Sequence, residues 1–242
     1  MKPTETTPRL LIAAGPTYEP IDSVRFIGNR SSGKLGIGLA LEASRRGWDV
    51  IILLGPNTPI PEAPGLKVIG FRSTADLQGL LQSHMPQVDA LIMAAAVADF
   101  RMPDSADLSE KLQRTEDGYT LNLVPTPDLL AECSVNARED QFLVGFALEP
   151  RDRLMESARR KLGRKNIDLI VANPLETMDS DEIEATLLGH ADRGVLFDQP
   201  KQVHTTKAEF AKWLLEEIAP LILKRIQKRM HAKMQGDRPP PA

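Results

Sequence analysis

The chain has 242 residues, 42% of them hydrophobic and 26% charged, with a formal net charge of -3. That length buries a full core as one domain, and the balance of charge gives no electrostatic reason to expect nucleic acid or a membrane surface as a partner. One cysteine, Cys133 in "LLAECSV", excludes an internal disulfide and reads as a small buried apolar residue, while His84, His190, His204 and His231 lack metal-ligand spacing.

In chain order, residues 1–8 read as an N-terminal extension. "MKPTETTPRL" has no apolar signal core and no later run is long enough to span a bilayer, so a cytoplasmic protein is expected. Leu10–Ala14 predicts a first strand. Gly33–Arg46 predicts a helix with Ile37, Leu39, Ala40, Leu41 and Ala43 on its buried face, and Gly47 ends it. "VIILL" and "LKVIGF" follow as strands, and Ser73 N-caps a helix over Thr74–Gln82. "ALIMAAAV", apolar on both faces, suits a central parallel strand.

Between Ala98 and Pro127 the pattern breaks into a polar, proline-punctuated stretch too long for an ordinary connection, and such loops are functional or disordered. Alternation resumes with a helix from Asp128, the strand "FLVGFA", a helix over Arg151–Leu162 and the strand "DLIVAN". "EATLL" and "GVLF" predict a late hairpin, and "KAEFAKWLLEEIAPLIL" a closing amphipathic helix. Residues 225–242 read as a basic, proline-rich tail in which a helix frays. The whole predicts an α/β fold, a Rossmann-like doubly wound sheet with a long functional excursion at about residues 99–126 after the central strand. Ligands of such sheets sit beyond the carboxyl ends of the strands, where "GNRSSGKLG", "AAVADF" and "VGFALEP" converge.

The stretch "GNRSSGKLGIG" carries the functional question. It fits the phosphate-cradling pattern G-x-x-x-x-G-K-[ST] except that Leu35 stands where a magnesium-binding hydroxyl is needed, and it does not follow its strand directly. A nicotinamide site fares no better. "VIILLGPN" ends without a ribose-binding acid, and neither Tyr18 nor Tyr119 is followed four residues later by Lys. What survives is general: a Gly- and Ser-rich loop opening a helix offers free N–H groups and a positive dipole end to an anion. Asn29, Arg30, Ser31, Ser32 and Lys34 lie close together in it, beside Gly33.

With these residues in view, the sequence resembles the phosphopantothenoylcysteine synthetase family. The blocks that carry the resemblance are "GPTYEPIDSVRFIGNRSSGKLG", "AAAVADF", "EKLQR", "VPTPDLL", "LVGFALE" and "ARRKLGRKNIDLIVAN", in that order over nearly the whole chain. The resemblance implies a phosphopantothenate–cysteine ligase domain over residues 9–224. It would join 4'-phosphopantothenate to cysteine with CTP and Mg2+ through an acyl-cytidylate. A homodimer is implied, and no flavin, since the decarboxylase half of the bifunctional relatives has no counterpart in these blocks; a separate phosphopantothenoylcysteine decarboxylase is a candidate partner.

By motif, Asn29 and Arg30 would contact substrate, with Asn29 and Lys111 as the catalytic residues. The nucleotide would meet Gly15, Ser31, Ser32, Gly33, Lys34, Ala95, Ala96, Asp99, Lys111, Pro127, Asp128, Leu129, Leu130, Phe146, Lys161 and Lys165. Magnesium would be held mainly by the phosphates, with Asp99 as its candidate protein ligand. Gln113 and Arg114 stand where the family typically shows lysines, and Ile183 where it has Asn. A non-catalytic nucleotide- or anion-binding protein of the same fold stays open as the alternative, and a short-chain oxidoreductase behind it.

Overall fold

Runs of apolar residues uninterrupted by polar ones can be buried only between two layers, and the chain folds around this requirement. The computed structural model describes residues 7–236 apart from Thr115, Asp117, Asp179 and Asp198. In order, it forms β1 (Arg9–Pro16), β2 (Tyr18–Pro20), β3 (Phe26–Gly28), α1 (Lys34–Arg45), β4 (Asp49–Leu54), β5 (Leu66–Gly70), α2 (Thr74–His84), β6 (Ala90–Ala96), β7 (Phe100–Arg101) and β8 (Val124–Pro125). Then follow α3 (Leu129–Val135), β9 (Phe142–Glu149), α4 (Leu154–Lys165), β10 (Leu169–Pro174), β11 (Glu182–Gly189), β12 (Lys201–Thr206) and α5 (Lys207–Gly236).

Eight strands build the main sheet in the order β12-β11-β10-β9-β6-β1-β4-β5. From β10 to β5 the pairs are parallel, while β11 and β12 add antiparallel strands at one edge. Strand order reverses between β1 and β6, which defines the switch point of a Rossmann-like fold. Alternate residues of β1 serve opposite layers. Leu10, Ile12 and Ala14 pack with α1 and α5, whereas Leu11 and Ala13 pack with α2, α3 and α4. β6 is central and buried, as its apolar sequence predicts.

Ser73 N-caps α2 as expected, and Asp76 completes a capping box: Ser73 Oγ accepts the Asp76 N–H at 3.2 Å and Asp76 accepts the Ser73 N–H at 2.8 Å. Three expectations need correction. "GVLF" is not a strand: Val195 N–H turns back to the His190 carbonyl at 3.1 Å and its side chain is buried. The true partner of β11 is β12, "KQVHTT", a polar edge strand without the apolar run that the sequence reading sought. The helix expected from Arg151 begins at Leu154, since Pro150 is followed by a turn.

The expected tail is helical over its first part. α5 continues to Gly236, past the boundary expected at residue 225, with Ile226 buried. Its basic residues find acids at the amino ends of the strands, Asp89 and Asp168 fully buried and Asp140 partly so. Arg225 Nη2 donates to Asp168 at 2.5 Å, and Arg229 Nη1 donates to Asp89 and Asp140, each at 2.7 Å. Asp168 also accepts from the Leu143 N–H at 2.7 Å and from Arg193 Nε at 2.8 Å. The remainder of the expected tail, 237–242, and most of the expected N-terminal extension lie outside the described residues.

Candidate functional site

At the carboxyl end of β1 the chain must leave the sheet without blocking it, and small residues make that geometry. Gly15 has φ +85°, and a Cβ there would lie 2.9 Å from Thr58 Cγ2. Gly33, at φ +68° on the N-cap of α1, is held equally close to Thr58. A Cβ on Gly36 would come within 2.3 Å of the Ala14 Cβ, so α1 approaches β1 as closely as its glycines allow.

The first turn of α1 carries no side-chain cap and no acidic residue. Its N–H groups are therefore left without a side-chain cap at a positive dipole end, close in sequence to Asn29, Ser31, Ser32 and Lys34. Ser31 Oγ accepts the Gly33 N–H at 3.4 Å. Lys34 reaches across to Asp181, 2.8 Å away, in an exposed ion pair. Arg30 lines a neighbouring pocket with Leu175, Glu176, Met178 and Ser180.

Asn29 joins this loop to the other side of the switch point. Its Nδ2 donates to the Val97 carbonyl at 2.9 Å. A carbonyl can only accept, and the second amide hydrogen and Oδ1 have no partner among the described residues. Gly15 pairs with Ala95 and Pro16 with Ala96, which sets the two alanines against the glycine turn. Thr17 Oγ1 accepts the Ala98 N–H at 2.9 Å, and Thr74 bridges Thr17 to the buried Glu19. Thr126 closes the base of the excursion, donating its N–H to Asp99 O at 2.9 Å and its hydroxyl to Ala98 O at 2.5 Å. The Asp99 carboxylate is exposed and has no partner among the described residues.

Lys111 lies in the excursion, exposed, and its ammonium likewise has no partner among the described residues. Phe146 is half-buried on β9, packed on the layer that contains α1.

The other sequence-derived residues are differently engaged. Leu129 and Leu130 are core side chains, 3% and 6% exposed, so their side chains are turned into the protein interior. Asp128 caps α3 by accepting the Ala131 N–H at 3.2 Å and is paired with Lys165 and Arg164. Burial would raise its pKa, but Lys165 outweighs this and holds the carboxyl below its ordinary value. Lys161 pairs with Glu149 at 2.7 Å, at the carboxyl end of β9, and lowers that carboxyl's pKa. Pro127 lies beside Arg101, Ser73 and Thr74 in a separate pocket. The structure thus unites Gly15, Asn29, Ser31, Ser32, Gly33, Lys34, Ala95 and Ala96 around the switch point, with Asp99 just past it. Lys165 and Asp128 instead form a pair in the α3–α4 layer.

Thr17, Thr58, Thr74, Glu19 and Thr126 escaped the sequence reading. Thr17, Glu19 and Thr126 lay in blocks already singled out, but nothing in a single Thr marks it as a tether. Burial pushes the Cys133 thiol up to about 12, consistent with a packed, unreactive residue. Among the described residues no three His, Cys, Asp or Glu side chains cluster as a metal site, and no helix is long and apolar enough to cross a membrane.

Sheet order and cleft together define a Rossmann-like α/β domain whose polar site lies at the topological switch point. Within that class, the chain belongs to the family described as the DNA/pantothenate metabolism flavoprotein C-terminal domain, whose model matches residues 6–221. It is 38% identical over 219 residues to a cysteine/cysteine sulfinic acid decarboxylase of an unknown prokaryotic organism, covering 88% of this chain and 58% of that one. It is 37% identical over 177 residues to the coenzyme A biosynthesis bifunctional protein CoaBC of Escherichia coli (strain K12), covering 71% of this chain and 43% of that one. The chain therefore spans about half the length of these curated relatives. A crystal structure of the C-terminal domain of CoaBC superposes with a TM-score of 0.70 at 30% identity, covering 90% of this chain and 98% of that one. These findings bear out the resemblance to the phosphopantothenoylcysteine synthetase domain.

Proposed function

We propose that this chain is a phosphopantothenate–cysteine ligase of coenzyme A biosynthesis, using CTP. The observation that carries the reading is the union, at one switch point, of an uncapped glycine-opened helix end with the Asn29 amide fixed on the Val97 carbonyl. The first suits phosphate groups; the second suits a carboxylate being converted to an acyl group. The carboxylate oxygen of 4'-phosphopantothenate attacks the α-phosphorus of CTP, pyrophosphate leaves, and the cysteine amine then opens the acyl-cytidylate. That last step forms the amide, releases CMP and frees one proton.

Asn29 orients the acyl carbonyl, the N–H groups of the first turn of α1 and Lys34 face the phosphates, and Lys111 approaches them from the excursion. Asp99 is the exposed carboxylate that would hold a magnesium ion bound to the nucleotide, and that ion would supply neutralisation of phosphate charge. Homodimerisation, and cooperation with a phosphopantothenoylcysteine decarboxylase, belong to the same reading.

The test is product formation. The purified chain with 4'-phosphopantothenate, cysteine and CTP should yield phosphopantothenoylcysteine by mass spectrometry, with CTP preferred over ATP. Tight CTP binding without product would favour the alternative, a binding protein in which Gln113 and Arg114 have replaced needed lysines. NADPH binding in place of CTP would favour the oxidoreductase.

A further inference from the structure

We propose that Asp22 is a positioning residue for Lys111, a role that rests on the ligase reading above. Asp22 lies between β2 and β3 and is only 3% exposed, although Ser23, Val24, Arg25 and Phe26 beside it are all exposed. Its Oδ1 accepts the N–H groups of Val24 at 2.8 Å and Arg25 at 2.6 Å. A local turn of this kind is common for Asp and would explain those two contacts alone. It does not explain the rest. Asp22 Oδ2 accepts the N–H of Leu112 at 3.1 Å, across 90 residues of sequence. Arg25 Nη1, itself 2.8 Å from Asp22 Oδ2, donates to the Leu112 carbonyl at 3.3 Å.

Both backbone polar groups of Leu112 are therefore clasped by one ion pair. Leu112 is the residue after Lys111, and the excursion from Met102 to Leu123 contains no helix or strand among the described residues. A pocket of about 420 Å³ lined by Ile21, Arg25, Leu112 and Tyr119 continues the contact. Burial opposes ionisation of Asp22, yet the N–H groups of Arg25, Val24 and Leu112 together hold its carboxyl below the ordinary value. The clasp thus persists through neutral pH. Electrostatic stabilisation of a developing charge works only when the cation is already in place, and a lysine on a long irregular loop needs such a fixture.

A double-mutant cycle separates positioning from mere folding. Asp22→Asn keeps the side chain's shape but turns an N–H donor towards other donors. In the wild-type background it should lower turnover, and the affinity for magnesium CTP, at least tenfold. In the Lys111→Gln background it should cost less than twofold, because the group it positions is gone. Hydrogen exchange at the Leu112 amide should accelerate in Asp22→Asn while the amides of β1 and β6 keep their protection. Equal losses in both backgrounds, or unchanged exchange at Leu112, would overturn the proposal. A wild-type chain that neither binds nor consumes CTP would overturn the ligase reading and the role of Lys111 with it, and the exchange data would still show whether the clasp exists.

Discussion

Replacing Asn29 by Asp changes one NH2 group into an oxygen and little else in shape. In the structure that NH2 donates to the Val97 carbonyl at 2.9 Å, so the variant sets a carboxylate oxygen against a carbonyl oxygen. The residue is exposed, and the lost hydrogen bond is worth about 1 kcal/mol, which lowers the melting temperature of a chain this size by roughly 2–4 °C. The effect on reaction is larger. Removing one positioned donor from a developing oxyanion costs roughly 10²–10³ in rate, and two unit charges 4 Å apart repel by about 4 kcal/mol at an effective dielectric near 20. Ligation should therefore fall at least a hundredfold. Because the amide is assigned to the acyl group, the variant should release one pyrophosphate per site and then stall, with the acyl-cytidylate visible by mass spectrometry. Normal amide formation would reduce Asn29 to a turn residue, and failure to release any pyrophosphate would place it in the activation step instead.

Lys111→Gln should reduce CTP-dependent turnover at least tenfold, the lower end of what a charge-assisted contact of about 1.5–3 kcal/mol provides, with an unchanged melting curve. Wild-type rates would make it a solvated loop residue. Asp168→Asn leaves Arg193 and Arg225 facing a neutral buried group, and the loss of about 3 kcal/mol or more should lower the melting temperature by roughly 6–12 °C. A shift below 2 °C by calorimetry would show the network to be dispensable. The carboxyls of Asp128, Glu149 and Asp76 are all held below their ordinary values, so their contribution is complete above about pH 4.5 and is lost as pH falls through the lowered values. Denaturant midpoints should be flat from pH 7 to 5 and drop below 4; a decline already complete at pH 5 would contradict this.

Legibility in the sequence followed burial. "ALIMAAA" announced a central strand because both its faces are covered, and Ser73 announced a cap because a hydroxyl just before a helical run can accept an orphan N–H of its first turn. "KQVHTT" announced nothing, since an edge strand exposed along one side needs no apolar pattern. The run from Lys224 to Lys233 read as solvated charge because Asp89 and Asp168, which receive two of its arginines, are remote in sequence. At the site, the glycine turn, Asn29 and the base of the excursion at Asp99 were all readable, as was the place of Lys111 within that excursion. The salt links of Lys161 and Lys165 were not, because their carboxylate partners come from β9 and the start of α3. Nor was the reach of Asp22 to Leu112, a contact that only the folded hairpin creates.

Oxygen transfer tests the acyl-nucleotide account most directly. With ¹⁸O in both carboxylate oxygens of 4'-phosphopantothenate, attack on the α-phosphorus followed by aminolysis leaves one labelled oxygen on CMP. One ¹⁸O per CMP, none in pyrophosphate and one retained in the amide product is the predicted result. Unlabelled CMP, or label appearing in orthophosphate alongside CDP, would contradict it.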